Sequence, residues 1–263
     1  MTETSPRMPV LFVGHGNPMN AIEENAWSAG FRRLGALVPR PRAILAVSAH
    51  WLARGSLLTA DERPETIHDF GGFPPPLYDV QYPAPGDPAL ARRAASLLGA
   101  ERAHLSDEWG LDHGTWSVLV HMFPAADVPV VQLALDARRS PAEHLALGRE
   151  LAPLRDEGVL VLASGNAVHN LAHAFRAWSR GETETPGWAS AFDADLARAL
   201  EAHDHAWLAG ALEREGGRLA HPTPEHYWPL LYAAGASTPG ERVDFPLTGF
   251  DMGSLSMRAA ILG

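Results

Sequence analysis

Four short apolar runs stand out from the polar background of the first 165 positions: PVLFVG (9–14), AILAVSA (43–49), VPVVQLAL (128–135) and GVLVLASG (158–165). They are continuous stretches of Val, Ile, Leu and Ala rather than alternations, the pattern of strands covered on both faces. Between and after them lie segments of helical character: NAWSAGFRRLGALV, DPALARRAASLLGA, SPAEHLALGRELAPLRDEG and WASAFDADLARALEAHD. Strands alternating with helices predict βαβ units, hence an α/β chain with a mainly parallel sheet and helices on both faces. No internal repeat and no Ser/Gly-rich linker marks a domain boundary. The stretch Thr66–Pro88 (TIHDFGGFPPPLYDVQYPAPGDP) has no period and is rich in aromatics, Gly and Pro. Structureless loops of this length usually serve as lids or binding loops.

Composition narrows the function classes. The net charge of -10 sets up a field that repels phosphate backbones and anionic lipid, which argues against nucleic-acid and membrane partners. No apolar stretch approaches the roughly 20 residues needed to cross a bilayer, and MTETSPRMPV lacks a signal-peptide core, so the expected location is cytoplasmic. Any disorder is expected only in the first few residues. The chain has no cysteine, which excludes disulfides, thiolate nucleophiles and cysteine-ligated metals.

Histidine is the abundant chemical group, with 13 residues to sort. In open α/β sheets ligands bind beyond the carboxyl ends of the strands, and three of the four runs deliver a histidine there: His15, His50 and, a few residues on, His169. Neutral imidazole is a common ligand for iron, zinc, copper and nickel, and rigid strand ends suit convergent ligands. Glycines beside His15 permit close approach, and Ser48, Asn166 and Asn170 are placed to fix imidazole tautomers. His113, in a polar turn before an apolar helix, can point into the site from a helix N-terminus. His226 follows Pro224 in the first turn of an expected helix. Glu225 beside it is also a ligand type, but adjacent helical residues diverge by about 100°, so one of the two faces a metal. His121 is expected in the core, and His173 at the surface or behind the ligands. His203 and His205 are assigned to a solvated helix face, as are His104, His144 and His221. His68 lies in the aperiodic loop.

The segments LFVGHGNPMNAIE, SAHW, TIHDFGGFPPPLYDVQYPAPG, WGLDHGTWSVL, LASGNAVHNL, HPTPEHYWPLLYAAGA and MGSLSMR together resemble the DOPA dioxygenase family, a branch of the class III extradiol ring-cleavage dioxygenases, over nearly the whole chain. The resemblance implies one domain over residues 1–263, a three-layer α/β/α fold around a mixed, mainly parallel sheet. It implies a mononuclear metal held by His15 and His50, with His226 as third ligand and His169 as either a fourth ligand or the acid/base. Extradiol enzymes more generally use two histidines and a carboxylate for iron(II); a third histidine departs from that, and Glu225 is the residue that could restore it. The implied cofactor is Fe(II) for activity, with Zn(II) as a metal that purified protein could carry, since zinc binds imidazole more tightly and has no redox chemistry. The implied partners are O2 and a small catechol such as DOPA, whose ring opening beside the diol gives a yellow semialdehyde that can cyclise to betalamic acid. His169 is then the expected base and His113 the group that hydrogen-bonds oxygen or substrate. His68, Phe70, Phe73 and Tyr78 are the candidate substrate contacts, with the three rings as walls under the Thr66–Pro88 loop. The oligomeric state is left open.

Two other readings share these histidines. One is a zinc hydrolase in which Glu225 activates water, and the other is a noncatalytic binding protein of the same fold. The want of a G-x-S-x-G elbow argues against a serine hydrolase.

Overall fold

The four apolar runs form the centre of one sheet. The computed structural model describes residues 7–182 and 184–263; residues 1–6, where the sequence places any disorder and shows no signal core, lie outside them. Its strands are β1 (Val10–Gly14), β2 (Ala43–Ala53), β3 (Ser56–Thr59), β4 (Ala103–Ser106), β5 (Val130–Asp136), β6 (Val159–Gly165), β7 (Val243–Leu247), β8 (Phe250–Asp251), β9 (Leu255–Ser256) and β10 (Ala259–Leu262). Eight of them make a sheet in the order β4-β3-β5-β2-β6-β1-β10-β7, and β8 and β9 form a separate pair. The centre, β5-β2-β6-β1, is parallel, as is β4 with β3; β3–β5, β1–β10 and β10–β7 are antiparallel. The fold is therefore α/β with a mixed, mainly parallel sheet.

The pleat explains why the central runs are apolar throughout. Val10, Phe12, Ala43, Leu45, Val47, Val159 and Val161 enter one core, together with the helices Pro88–Leu98, Pro141–Leu151, Gly187–Glu201 and Trp228–Ala236. Their neighbours Leu11, Val13, Ile44, Ala46, Leu160 and Leu162 enter a second core, with the helices Ala26–Leu37 and His113–Met122. Successive strand residues face opposite ways, so a covered sheet needs apolar side chains at every position. Helix starts follow local chemistry. Asn25 with Ser28, and Ser140 with Glu143, form capping boxes, while Asp87 and Asp112 cap the helices after them.

Several expectations need correction. β2 does not stop before His50 but runs to Ala53: pairing with β6 ends at Ser48↔Ser164, and pairing with β5 slips after Val47 and resumes at Leu52↔Leu135. His50 thus sits in a distorted strand that has lost one neighbour. His226 lies in the turn before the helix Trp228–Ala236 rather than inside it. His144 and His221 are buried, bonded to the Tyr232 hydroxyl and the Ala167 carbonyl, instead of lying on solvated faces. His203 occupies a left-handed turn, so it shares no helix face with His205. His121 is half-buried, its Nε2 against the Asn20 carbonyl, rather than in the core.

The aperiodic loop is packed down. It holds the short helix Pro75–Tyr78, and it is tied by Ile67 N–H to the Leu111 carbonyl at 2.7 Å, by Trp116 Nε1–H to the Ile67 carbonyl at 2.8 Å and by the Tyr82 hydroxyl to the Phe123 carbonyl at 3.0 Å. No helix among the described residues is long and apolar enough to cross a membrane.

The C-terminal strands are joined to the helical layer by a buried ion pair. Arg258 donates to Asp193 at 2.5 and 3.0 Å, and Asp193 also accepts from the Ser256 hydroxyl at 2.6 Å. Removing one partner would leave the other charge buried and uncompensated. Asp193→Ala is therefore expected to lower stability by about 3–5 kcal/mol in urea unfolding, and a paired Asp193→Leu, Arg258→Met replacement to recover most of it; an Asp193→Ala midpoint equal to wild type would contradict this.

Candidate metal centre

At the carboxyl edge of the parallel strands, five histidines line one cavity of about 960 Å³: His15, His50, His113, His169 and His226. His15 follows β1 directly, its backbone N–H bonded to the Gly165 carbonyl at the end of β6. Gly16 follows with φ of +63°, a left-handed conformation that favours glycine. His50 reaches the site from the distorted part of β2. His113 is the first residue of its helix, and His169 follows β6 after a short turn. His226 is brought in because the Asn166 N–H donates to its carbonyl at 2.9 Å. A side chain at Gly165 would collide with that same carbonyl, so glycine is needed there.

Hydrogen bonds decide which ring nitrogens face the cavity. The Ser164 hydroxyl donates to the Gly114 carbonyl at 2.5 Å, so toward His15 Nδ1, 2.9 Å away, it can only accept. His15 therefore carries its proton on Nδ1 and turns a lone pair on Nε2 toward His50, whose own Nε2 is 3.1 Å away. The opposite edge of His50 meets the Asp69 carboxylate, with Nδ1 to Oδ2 at 3.3 Å. Asp69 Oδ1 also accepts from His113, from Nδ1 and from the backbone N–H, each at 2.9 Å. Glu225 lies at the Nδ1 edge of His226, 3.4 Å away, and is outside the cavity lining.

The donor set fits a metal ion. Two Nε2 ligands about 2.1 Å from one ion sit roughly 3.0–3.4 Å apart, with ring centres about 5 Å apart. The Nε2 atoms of His15 and His50 are 3.1 Å apart, and the His15–His50, His15–His226 and His50–His226 ring centres are 5.0, 5.3 and 5.0 Å apart. Ligand atoms of His15, His50 and His113 also fall within 4.8 Å of one another, as do those of His169, Glu225 and His226. His113, however, packs against His50 with ring centres at 3.9 Å, and His169 lies flat on His226 at 3.5 Å and 5°.

Electrostatics keep His15, His50, His169 and His226 neutral, the form that binds metal. Burial holds His15 and His226 well below the ordinary histidine value, and the neighbouring histidines add to it. His50 is lowered by burial and by His113 against an upward pull from Asp69, and His169 is pushed down to about 3 by burial, His221 and His113. Asp69 loses solvation, yet its bonds to His113 and its proximity to His50 bring it down to about 2. Asp112, buried beneath His113 and near Asp69, is raised to about 6; it accepts from the Ser48 hydroxyl at 2.6 Å and from the Gln132 amide.

Of the other residues singled out in the sequence, Phe70 and Phe73 line the cavity, edge to face at 5.2 Å. Tyr78 and His68 do not: both stand behind Phe70, and His68 Nε2 bonds the Val80 carbonyl at 3.1 Å. Ser48, Asn166 and Asn170 do not contact the outer ring nitrogens. Ser48 serves Asp112, Asn166 donates to the Ser256 carbonyl, and Asn170 caps the helix Leu171–Ser179. Sequence reasoning missed Ser164 and Asp69. Ser164 is one residue of an apolar run, and the signal for Asp69 was an acid set between His68 and Phe70 in the aperiodic loop.

Comparison with known proteins places the chain in a family context. The family described as the catalytic LigB subunit of aromatic ring-opening dioxygenase matches residues 10–248. A 4,5-DOPA dioxygenase extradiol of Escherichia coli K12 is 49% identical over 99% of this chain and 96% of its own length. A protein of the same description from Beta vulgaris is 37% identical over 94% of this chain and 93% of its own. A crystal structure of an uncharacterized E. coli K12 protein matches with a TM-score of 0.85 and 45% identity, covering 98% of this chain and all of that one.

The buried neutral histidines give the metal-free protein a pH-dependent stability. Unfolded, they take up protons below about pH 6.5; folded, His169 resists until about pH 3. Stability is thus expected to fall with pH through that window, by up to about 1.4 kcal/mol per pH unit for each such histidine. Asp112 works the other way, one group against the four cavity histidines together with His144 and His221. Urea midpoints of chelator-treated protein measured from about pH 7 to about pH 4 check this, and a flat profile would refute it.

Proposed function

The chain belongs to the family of catalytic LigB subunits of aromatic ring-opening dioxygenases and is an extradiol ring-cleaving dioxygenase, and from there we propose that it opens small catechols, DOPA among them, at an iron(II) ion held by His15, His50 and His226. The observation that carries this reading is the pair of Nε2 atoms facing each other at 3.1 Å, of which the His15 nitrogen is fixed as an acceptor by Ser164. With the carboxylate of Asp69 at His50 Nδ1 favouring the proton there, two lone pairs face each other, and so close they repel unless a cation lies between them. The stacked position of His169 on His226 favours an acid/base role over a fourth ligand, because parallel rings do not aim two nitrogens at one ion. Glu225 acts from behind His226 and leaves the coordination all-imidazole. That set accepts zinc as readily as iron, so purified protein can hold zinc in an inactive form.

When bound, iron(II) would bring catechol and dioxygen together and conduct electron density between them. The protein's own part is binding and proton handling. Phe70 and Phe73 form an apolar wall for the ring. His169, half-buried and neutral, is in the form that accepts a catechol proton, and a catecholate charge beside it favours the protonated ring. His113, one edge fixed on Asp69, is placed to hydrogen-bond substrate or oxygen. The lining carries Glu23, Glu182 and Asp251 and no arginine, which suits the ammonium of DOPA better than catechols whose only charge is a carboxylate. We read residues 1–263 as one domain and the location as cytoplasmic.

Anaerobic loading with iron(II), then catechols under air, is expected to give oxygen uptake and yellow product, with none from zinc-loaded protein. His15→Ala should abolish uptake, and His169→Ala should lower kcat by about a hundred- to ten-thousandfold. Phe70→Ala should chiefly raise KM. Iron-loaded protein that consumes no oxygen with any catechol, or an oxygen-independent hydrolysis, would overturn the proposal.

A further inference from the structure

The Asp69 carboxylate touches two histidines at once, and nothing in the ligand set requires that. Its Oδ1 accepts from His113 Nδ1 and from the His113 backbone N–H, both at 2.9 Å, and its Oδ2 faces His50 Nδ1 at 3.3 Å. We propose that Asp69 is a positioning residue: one carboxylate holds the proton on Nδ1 of both His50 and His113, so that both rings present a bare Nε2 to their partners.

The chemistry is one of counting donors. An ionised carboxylate only accepts, so a neutral ring that donates to it from Nδ1 carries its lone pair on Nε2; His113 makes that bond at 2.9 Å, and His50 Nδ1 stands 3.3 Å from Oδ2, where the negative charge favours N–H over a lone pair. For His50 that lone pair is the one that meets His15 Nε2 at 3.1 Å. For His113 it makes the ring an acceptor for a catechol hydroxyl. The two rings lean side by side on the carboxylate, with centres 3.9 Å apart, so their orientations are set together. No other carboxylate among the described residues is placed to do this. Asp112 spends its oxygens on Ser48, Gln132 and the Thr115 N–H, and Glu225 lies by His226. Asp69 is itself held, because Ile67 two residues earlier is bonded through its N–H to Leu111 and through its carbonyl to the Trp116 indole. The amide of Asp69→Asn keeps the shape but offers one acceptor and one donor, so it can serve only one of the rings.

This inference rests on His50 as ligand and His113 as substrate partner, but its test does not depend on turnover. In the zinc-loaded full-length protein, long-range proton–nitrogen NMR should show Nδ1–H on both His50 and His113. In Asp69→Asn one ring should change tautomer or lose its fixed proton, and zinc affinity by chelator competition should fall about 10- to 100-fold. In the iron-loaded enzyme kcat should fall more than KM rises. A proton on Nε2 of either ring in the wild type would overturn the proposal, and this arm stands even if the variant does not fold. A folded Asp69→Asn with wild-type tautomers and zinc affinity would overturn it equally, whether or not the protein cleaves catechols.

Discussion

The site depends on keeping several imidazoles buried, close together and uncharged. A charged pair of rings with nitrogens 3.1 Å apart would repel inside a low-dielectric pocket, and burial already disfavours the protonated form. The protein answers with acceptors on the outer edges of the rings, Ser164 for His15 and Asp69 for His50 and His113, and leaves the inner edges facing each other. Such an arrangement is costly for a protein alone and favourable around a cation. The neighbouring structure can be understood as what is needed to hold it.

Holding it falls to the sheet edge and to the layer beneath. Parallel strands β1, β6 and β2 end at the same edge, so His15, His169 and His50 arrive on rigid backbones. The approach of the His226 turn is possible because residue 165 has no side chain. Under the histidines, Asp112 caps the His113 helix while accepting from Ser48 and Gln132, and Thr115 bonds Gln132 at 2.8 Å. Asp112, Ser48, Gln132 and Thr115 all have partners there, which favours a dry, rigid layer. The helix carrying His113 and the strand carrying His50 are thereby joined below the cavity as well as within it.

How much of this could be read from the chain follows from how local each signal is. The central strands announce themselves because burial on both faces demands unbroken apolar runs, and His15 and His50 were recognisable as the residues those runs deliver. The edge strands were not legible: β3 and β4 are four residues each, β7 contains Pro246, and β8 and β9 are pairs. His144 and His221 look like polar residues of amphipathic segments, and only the tertiary neighbours Tyr232 and Ala167 make them core. Ser48, Asn166 and Asn170 lie close to the right histidines in sequence, yet strand pleat and helix capping turn them elsewhere. The partner of His15 is instead Ser164, 149 residues away, a pairing set by the parallel register of β1 on β6. Asp69 belongs to the same class of contact, visible as an odd residue but given meaning only by the folded loop.

That loop shows why the cavity wall and the histidines are not separable parts. Asp69 and Phe70 are consecutive, and in extended chain consecutive side chains point apart. One reaches down to His50 and His113 while the other lines the cavity and packs its edge on His113 at 5.4 Å. A displacement of the loop that widened the cavity would therefore pull the carboxylate away from both rings, and one that tightened it would press Phe70 onto His113. Because Ile67 and Tyr82 are bonded into the core on either side, neither movement is free. The cavity wall and the orientation of the histidines are thus set by one short segment, in which an acid and an aromatic residue stand side by side.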